Sequence, residues 1–394
     1  MITSLAELLA PVSNFEFLEA FRVRRRLHIR TSDAARMASL LSWQDIDLLV
    51  PMLARDDRLC VMRDGVLVSH QFYTSSGDSR FNARAFHNLA AQGVSVVVNT
   101  IDDLIPQIGR LAAAIERELG IRININGYLS FSKGGAFKPH WDSHDVLVVQ
   151  VHGKKQWQIW NAESAHPVEA ADLLKFNPSL PSDQEIELAP GDVLFIPRGE
   201  PHSAAVSTGH SVHLTIGLHS LTGLDFIDHL RKEAAKDLLL RMNLPRHSSE
   251  EETLMHEADL KRQLHHLIET ESVTKFLRAN DLDRRPLLQI ALSGALPQMD
   301  DVLGLALRRR IPLTAVASDG APQPVTVGGE VFQLAPASID IMRWLFDHGP
   351  ATRRALEGAL SPHYGQASIE ASLHELLRFG FVAVNHANFA ACGS

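Results

Sequence analysis

The sequence predicts an α+β fold, in which an antiparallel sandwich or barrel of β-strands is followed by helices. Three observations favour this class. The stretch IRININGYLSF, which begins at Ile121, alternates apolar and polar residues with the period of two that is typical of a strand. Further apolar or alternating stretches follow it, separated by tight turns rich in Pro and Gly. From about Leu221 onward, the pattern changes to amphipathic helices.

Length, charge and cysteine content limit the possible classes of protein. The chain has 394 residues, enough for two or three domains, and its net charge of −8 argues against a surface that binds nucleic acid. Its two cysteines, Cys60 and Cys392, form no disulfide framework and favour a reducing compartment. The N-terminal residues lack the pattern of a secretory signal, and no apolar run approaches the ~18 residues of a membrane span. We therefore expect a cytoplasmic protein without a membrane segment.

Before the alternating stretch, the chain reads as mixed helix and short strands. SWQDIDLLV predicts a helix with Ser42 as its N-cap, and RLCVMRDGVLVSHQFY predicts a hairpin around Asp64 and Gly65. LIPQIGRLAAAIERELG has apolar residues at helical spacing and predicts a helix that stops at Gly120.

The strand IRININGYLSF has one polar face, which carries Asn124, Asn126 and Tyr128. Two amides and a phenol on one face can line a wet cavity, or they can simply meet solvent. The residues alone favour the second interpretation.

The stretches DVLVVQV and KQWQIW are predicted to form a hairpin that turns at Gly153. On the returning strand, Lys155 shares its face with Trp157, so Lys155 is expected to point inward and Lys154 toward solvent. A lysine that faces the interior needs an anionic partner. The alternative is that both lysines are charges at the tip of a hairpin.

The segment FKPHWDSHD places His140 and Asp142 two residues apart, so that both side chains of an extended segment point the same way. A third candidate ligand, His202, follows the turn-rich stretch PGDVLFIPRGEP. Two imidazoles and one carboxylate make the facial triad that suits Fe(II) and leaves coordination positions open. A structural zinc site would instead close with four ligands, usually including sulfur.

These motifs resemble those of the JmjC-type, cupin-fold Fe(II)/2-oxoglutarate oxygenases, and within that class the chain is most similar to the ribosomal oxygenases, which hydroxylate ribosomal proteins. The resemblance covers FLEAFRVRRRLHIR near the N-terminus, GYLSFSKGGAFKPHWDSHDVLVVQVHGKKQWQIW, PGDVLFIPRGEPH and SVHLTIGL. It implies Fe(II) and 2-oxoglutarate as cofactor and co-substrate, with O₂ as the oxidant.

The resemblance also implies roles for single residues. The iron ligands would be His140, Asp142 and His202. Lys155 would bind the distal carboxylate of 2-oxoglutarate, at a position where bacterial members often carry arginine. Asn126 and Tyr128 fall where the family has pocket residues near the co-substrate and substrate.

Four further polar residues lie near these motifs. Asp145 is expected to fix the turn or to support the site from outside the metal shell, and His144 is either solvated or directed toward substrate. His213 and Thr215 lie on the polar face of SVHLTIGL. They are possible pocket residues, although a hydrogen-bonded core histidine is the favoured interpretation of His213.

The domain organisation follows from the same resemblance. Residues 1–220 would form a double-stranded β-helix, the cupin or jelly-roll JmjC core, together with N-terminal helices and strands. Residues 221–300 would form a helical dimerisation region, so we expect a homodimer. Residues 301–394 read as a winged-helix-like domain. Acidic residues outnumber arginines from Val325 to the end, so we interpret this domain as a scaffold or protein-contact module and not as a DNA-binding one.

The predicted function is the hydroxylation of a protein side chain, Arg or His of a ribosomal protein. A hydroxylase of a biosynthetic peptide and an N-methyl-lysine demethylase would use the same iron chemistry and are the alternatives within the enzyme class. A non-catalytic metal-binding cupin regulator would not need an inward cation at Lys155. A zinc hydrolase or isomerase of the cupin fold would need more histidine ligands.

Overall fold

The computed structural model describes residues 2, 4–31, 33–63, 65–77, 80–131, 138–162, 166–167, 181–280, 295–306, 320–327 and 330–385. The chain divides into two compact units, Met1–Ser220 and Leu221–Ser394. The quoted stretch SKGGAF and Asp64 of the predicted hairpin lie outside the described residues.

The helices of the first unit precede most of its strands. They are α1 (Leu5–Leu9), α2 (Asn14–Arg22), α3 (Ala34–Ala38), α4 (Trp43–Met52), α5 (Ala83–Ala91) and α6 (Pro106–Leu119), with short 3₁₀ turns at His70–Phe72 and Ile101–Asp103. The predicted caps are confirmed. Ser42 and Asp45 form a capping box on α4, and α6 ends at Gly120, whose φ of 67° suits glycine.

An antiparallel sheet forms the centre of the first unit. Its strands are β1 (Leu27–Ile29), β2 (Leu59–Arg63), β3 (Val66–Leu67), β4 (Ser95–Val98), β5 (Arg122–Ser130), β6 (Asp145–Ile159), β7 (Gln184–Leu188), β8 (Val193–Ile196) and β9 (His202–His219). The spatial order is β1-β8-β6-β9-β5-β4-β2-β3, and β7 pairs with β6. This arrangement confirms the antiparallel sheet with helices that the sequence predicts.

The predicted hairpin at Gly153 is wrong. DVLVVQV and all of KQWQIW except its last residue belong to one continuous strand of 15 residues, β6, which pairs with the 18-residue β9. Register shifts between Gln150 and Lys155 mark a bulge at which the strand bends instead of reversing. Gly153 has a φ of 63°, which a bulge accommodates as readily as a turn. The inward direction of Lys155 does not depend on this error, because alternation resumes after the bulge.

Successive residues of β6 pack on opposite sides of the sheet. Leu147 and Val149 join the large core formed with the N-terminal helices. Val146 and Val148 face a second, smaller apolar cluster that includes Trp157 and the inward residues of β7 and β8. Both faces of the strand are therefore buried, and the second face is the one on which the candidate site lies.

The second unit begins with helices and ends with a mixed arrangement. Its elements are α7 (Gly223–Ala234), α8 (Leu238–Arg241), α9 (Glu250–Thr270), α10 (Val273–Asn280), β10 (Val302–Leu305), β11 (Gln323–Val327), β12 (Glu330–Leu334), α11 (Pro336–His348), β13 (Ala351–Thr352), α12 (Arg353–Tyr364), α13 (Gln366–Arg378) and β14 (Val382–Asn385). The strands pair in the order β13-β10-β14, and β11 with β12 forms a separate hairpin. None of the helices that the structure describes is both long and apolar enough to cross a membrane.

Candidate active site

Strand pairing brings the three predicted ligands together. His140 lies just before β6 and forms an isolated bridge with His202 at the start of β9, where each backbone N–H donates to the other residue's carbonyl oxygen over 3.1 and 2.7 Å. The backbone N–H of Gly199 donates to the carbonyl oxygen of Asp142, which ties the second ligand to the turn that precedes His202. One ligand atom from each of His140, Asp142 and His202 lies within 4.8 Å of the others.

Backbone carbonyl groups fix the tautomer of both histidines. Nδ1 of His140 lies 3.0 Å from the carbonyl oxygen of Lys138, and Nδ1 of His202 lies 3.0 Å from that of Glu200. A carbonyl oxygen can only accept, so each Nδ1 carries the proton and each Nε2 keeps its lone pair. The free Nε2 of His202 lies 3.6 Å from a carboxylate oxygen of Asp142.

The electrostatics of this cluster favour a cation. Burial lowers the pKa of His202, so its imidazole is neutral and able to coordinate at physiological pH. Two imidazole nitrogens and one carboxylate oxygen form the donor set that divalent iron accepts, and among the described residues no further His, Cys, Asp or Glu joins the group. The residues present therefore fit a metal that keeps open coordination positions.

Lys155 lies in the same cavity as these ligands. The lining of that cavity also includes Tyr128, Trp157, His213 and Thr215. Lys155 is only 2% exposed, which is unusual for a lysine. Burial lowers its pKa to about 7, and no carboxylate of the described residues is close enough to offset that effect. The neighbouring Lys154 is exposed and pairs with Glu187 at 2.9 Å, as expected for a solvated lysine.

Tyr128 and Asn126 occupy different places. The Tyr128 ring lines the cavity, and burial raises its pKa to about 12, so that its hydroxyl stays protonated. Asn126 is not among the lining residues. Its Oδ1 accepts from the backbone N–H of Thr100 at 2.9 Å, and its side chain hydrogen-bonds Tyr128. The structure thus places Tyr128 at the cavity and Asn126 behind it.

His213 is the residue that sequence reasoning undervalued. It is 3% exposed, its Nδ1 lies 3.3 Å from Nζ of Lys155, and its ring stacks on Tyr128 at 4.8 Å with an interplanar angle of 8°. Tyr128 and His213 are direct partners across β5 and β9. The polar face of SVHLTIGL was visible in the sequence, but the register that sets it against Tyr128 was not.

The remaining polar residues support the turn and the rim. Asp145 is buried and accepts from the backbone N–H of Arg198 at 3.0 Å, so it fixes the turn before His202. His144 stacks on His219 at 4.4 Å, and His219 in turn lies 2.5 Å from Oδ1 of Asn124. The His144 ring is therefore engaged by His219, and it is not part of the ligand group.

Part of the chain matches a known domain family. Residues 99–226 match the family model described as the JmjC domain. The matched segment contains the candidate ligands His140, Asp142 and His202, so this part of the chain is similar to a JmjC domain.

Curated relatives match the chain over part of their length. A protein of Drosophila persimilis named bifunctional lysine-specific demethylase and histidyl-hydroxylase NO66 is 25% identical over 221 residues, 55% of this chain and 31% of its own length. The NO66 protein of Caenorhabditis elegans is 33% identical over 136 residues, 33% of this chain and 18% of its own length. Ribosomal oxygenase 2 of Bos taurus is 28% identical over 236 residues, 53% of this chain and 50% of its own length. The chain spans half or less of the length of these relatives.

Solved structures show the same fold over nearly the whole chain. The X-ray structure of ycfD from Escherichia coli has a TM-score of 0.61 at 19% identity, covering 95% of this chain and 98% of that one. The structure of YcfD, a ribosomal oxygenase from Escherichia coli, in complex with cobalt and 2-oxoglutarate has a TM-score of 0.56 at 18% identity, covering 95% and 99%.

Proposed function

We propose that this protein is an Fe(II)- and 2-oxoglutarate-dependent oxygenase that hydroxylates a side chain of a ribosomal protein. The names of its curated relatives include histidyl-hydroxylase and ribosomal oxygenase, and a structure of similar fold was solved with cobalt and 2-oxoglutarate. The overall reaction would convert 2-oxoglutarate, O₂ and a C–H bond into succinate, CO₂ and a hydroxylated side chain.

The observation that carries the proposal is the buried side chain of Lys155, which shares the cavity of the metal-ligand cluster and has no carboxylate partner among the described residues. Burying a charge without a counter-charge is costly, so a cation in this position implies a ligand that supplies the anion. A dicarboxylate fits, because one carboxylate can chelate a metal at His140, Asp142 and His202 while the other reaches Lys155. A cupin that merely binds a metal has no use for this lysine.

The chain's own residues have separable tasks in this reaction. The two Nε2 atoms and the Asp142 carboxylate would hold Fe(II), which when bound supplies the oxidative chemistry that side chains cannot perform. Lys155 would orient the co-substrate through its distal carboxylate. Tyr128, whose hydroxyl stays protonated, also lines the cavity, and the side chains of Trp157 and Val146 add apolar surface to its wall.

The test is a titration without oxygen. Purified protein with Fe(II) would be titrated with 2-oxoglutarate under argon, and the visible metal-to-ligand absorption of the chelate would be recorded for the wild type and for Lys155→Ala. We expect a band in the wild type that is much weaker in the variant at the same ligand concentration. A folded, iron-loaded protein that gives no band would contradict the proposal and would favour the non-catalytic cupin.

The nature of the modification needs a separate measurement. The NO66 relatives are also named lysine-specific demethylases, so demethylation is the second candidate. Incubation with ribosomal proteins followed by mass spectrometry distinguishes the two activities. Hydroxylation adds the mass of one oxygen, whereas demethylation removes a methylene and releases formaldehyde.

We further propose that the chain acts as a cytoplasmic homodimer, assembled through residues 221–300, and that residues 301–394 form a winged-helix-like contact module. The dimer is supported by exposed apolar side chains on the described helices of this region. On α7, Leu224 is 53% and Ile227 is 58% exposed, and on α9, Leu254 is 60% exposed. The small number of cysteines supports the cytoplasmic location.

A further inference from the structure

The Lys155 ammonium is held by two neutral acceptors on two different strands. Its Nζ lies 3.3 Å from Oγ of Ser130 on β5 and 3.3 Å from Nδ1 of His213 on β9. An ammonium has three N–H donors and no lone pair. Two of its donors are therefore used by the protein, and the third is left for a ligand in the cavity.

This arrangement dictates the state of His213. Because a charged Lys155 can only donate, Nδ1 of His213 must accept, and its single proton must lie on Nε2. Burial and the nearby ammonium hold the pKa of His213 well below its ordinary value, so the ring is neutral. An imidazolium at this place would have no lone pair for Lys155.

The ring of His213 has little freedom to turn away. One face stacks on Tyr128, and the Trp157 ring meets it edge-on at 5.5 Å with an interplanar angle of 82°. The strand register supports this stack, since Tyr128 and His213 are direct partners across β5 and β9. The position of the acceptor atom is thus fixed by packing on two sides.

We propose that His213 is a positioning residue that aims the Lys155 ammonium at the distal carboxylate of the co-substrate. The proposal rests on the proposed function, because it assumes that a 2-oxo dicarboxylate enters the cavity. His213 acts through Lys155 in this scheme and touches neither the metal nor the reacting bond. Its loss should weaken the recognition of the distal carboxylate while leaving chelation of the metal intact.

The experiment compares two ligands that differ only at the distal end. Binding of 2-oxoglutarate and of 2-oxopentanoate, which has no distal carboxylate, would be measured anaerobically with Fe(II) from the chelate absorption. The main variant is His213→Phe, which keeps an aromatic ring against Tyr128 and removes the acceptor. His213→Asn is the rescue variant, because its Oδ1 can replace Nδ1. His210→Leu, an exposed histidine on the same strand, is the matched control.

The expected result is selective. His213→Phe should weaken 2-oxoglutarate binding by about tenfold, the loss typical for one hydrogen bond to a charged group. It should leave 2-oxopentanoate binding unchanged, and His213→Asn should restore most of the difference. Equal weakening of both ligands, or no rescue by asparagine, would overturn the proposal. A wild-type protein that binds neither ligand would instead refute the proposed function.

A measurement on the metal-free wild type covers the case in which His213→Phe does not fold. Nitrogen NMR of the ¹⁵N-histidine-labelled protein, with the His213 signals assigned through the asparagine variant, reports the tautomer directly. We expect the proton on Nε2 at pH 6, below the pKa of about 7 of Lys155, where its charged form predominates. A proton on Nδ1, or an imidazolium, would contradict the proposal, since neither can accept from Lys155.

Discussion

The lone pairs of three histidine nitrogen atoms determine what the candidate site can bind. Backbone carbonyl oxygens accept hydrogen bonds from the Nδ1–H groups of His140 and His202. Nδ1 of His213 instead accepts a hydrogen bond from Lys155. The first two rings are thereby prepared for a metal, and the third is prepared for a cation on a side chain. The hydrogen-bond partners of these histidines therefore decide whether each ring can bind a metal or accept from a lysine.

Removal of one ligand should abolish metal binding without unfolding the chain. Because losing even an outer contact of a metal site typically costs 10–100-fold, we expect Asp142→Ala to weaken Fe(II) or Mn(II) binding by more than about 100-fold. Titration calorimetry under argon measures the affinity, and circular dichroism checks the fold. His144→Ala, two residues away and outside the ligand group, serves as the control. Full metal affinity in Asp142→Ala would remove it from the ligand set.

Co-substrate affinity should depend on pH through Lys155. Its pKa is about 7 in the ligand-free protein, and a dicarboxylate binds the protonated form. The affinity for 2-oxoglutarate should therefore be constant below about pH 7 and fall above it, by up to about tenfold per pH unit until the pKa of the complex is reached. Titrations from pH 6 to 9 measure this. Lys155→Arg should remove the slope, because arginine stays charged. An unchanged slope in that variant would assign the titration to another group.

The same lysine should reduce the stability of the free protein. Its pKa is about 7 when folded and 10.5 in the unfolded reference, so between these values the unfolded chain binds more protons. The free energy of unfolding should then rise with pH across this window, and Lys155→Met should flatten the rise. We also expect Lys155→Met to raise the Tm at pH 7 by several degrees, since an unpaired buried charge is removed. A lower Tm would show that the ammonium is already compensated. Thermal unfolding followed by circular dichroism measures both effects.

At the scale of elements, the bulge in β6 sets the position of the lysine. A Cβ atom at Gly153 would lie 2.0 Å from the carbonyl oxygen of His210, and the φ of Gly153 is positive. Alanine there must displace the partner strand. Gly209 on β9 also has a positive φ, of 67°, but apart from its two chain neighbours no atom of the described residues lies within 4 Å of a Cβ at that site.

These two glycines allow a matched test of the bulge. Gly209→Ala should cost about 1 kcal/mol for the backbone conformation alone, whereas Gly153→Ala should cost about 2–4 kcal/mol and also weaken 2-oxoglutarate binding. Denaturant unfolding gives the free energies, and the anaerobic titration gives the affinity. Equal costs at the two sites would mean that the bulge adapts easily and does not fix Lys155.

Local patterns predicted the direction of side chains better than the path of the strands. The alternation after the bulge was enough to predict that Lys155 points inward, because successive side chains of a strand point to opposite faces. The error at Gly153 arose because a positive φ serves a turn and a bulge equally well. The spacing of His140 and Asp142 also predicted their shared direction. The pairing of Tyr128 with His213 could not be predicted, since long-range register depends on the whole sheet.

At the scale of the whole molecule, both compact units leave large apolar side chains exposed, such as that of Phe15 on α2 of the first unit. The first unit buries its apolar residues on both faces of β6, whereas α7 in the second unit presents Leu224 and Ile227 on one exposed face. The helix pattern of residues 221–280 was readable from the sequence, but no residue pattern states whether such a face meets a second copy.

The predicted dimer can be tested on that face. Replacing both Leu224 and Ile227 with glutamate should convert a dimer into a monomer, because two charges would be buried in an apolar interface. Light scattering of the purified variants measures the mass. Lys232→Glu, an exposed residue on the same helix, changes the net charge by the same two units and should leave the dimer intact. A wild type that is already monomeric would refute the prediction.

The reciprocal backbone hydrogen bonds between His140 and His202 have one more consequence. They make the amide protons of the two ligands members of the same cross-strand pair, so both protons can exchange with solvent only when the strands separate at that point. Deuterium uptake at these two amides should therefore slow together when a metal is added, and should stay coupled in any variant that keeps the pair closed. The two amides thus report how often the metal site opens, independently of catalysis.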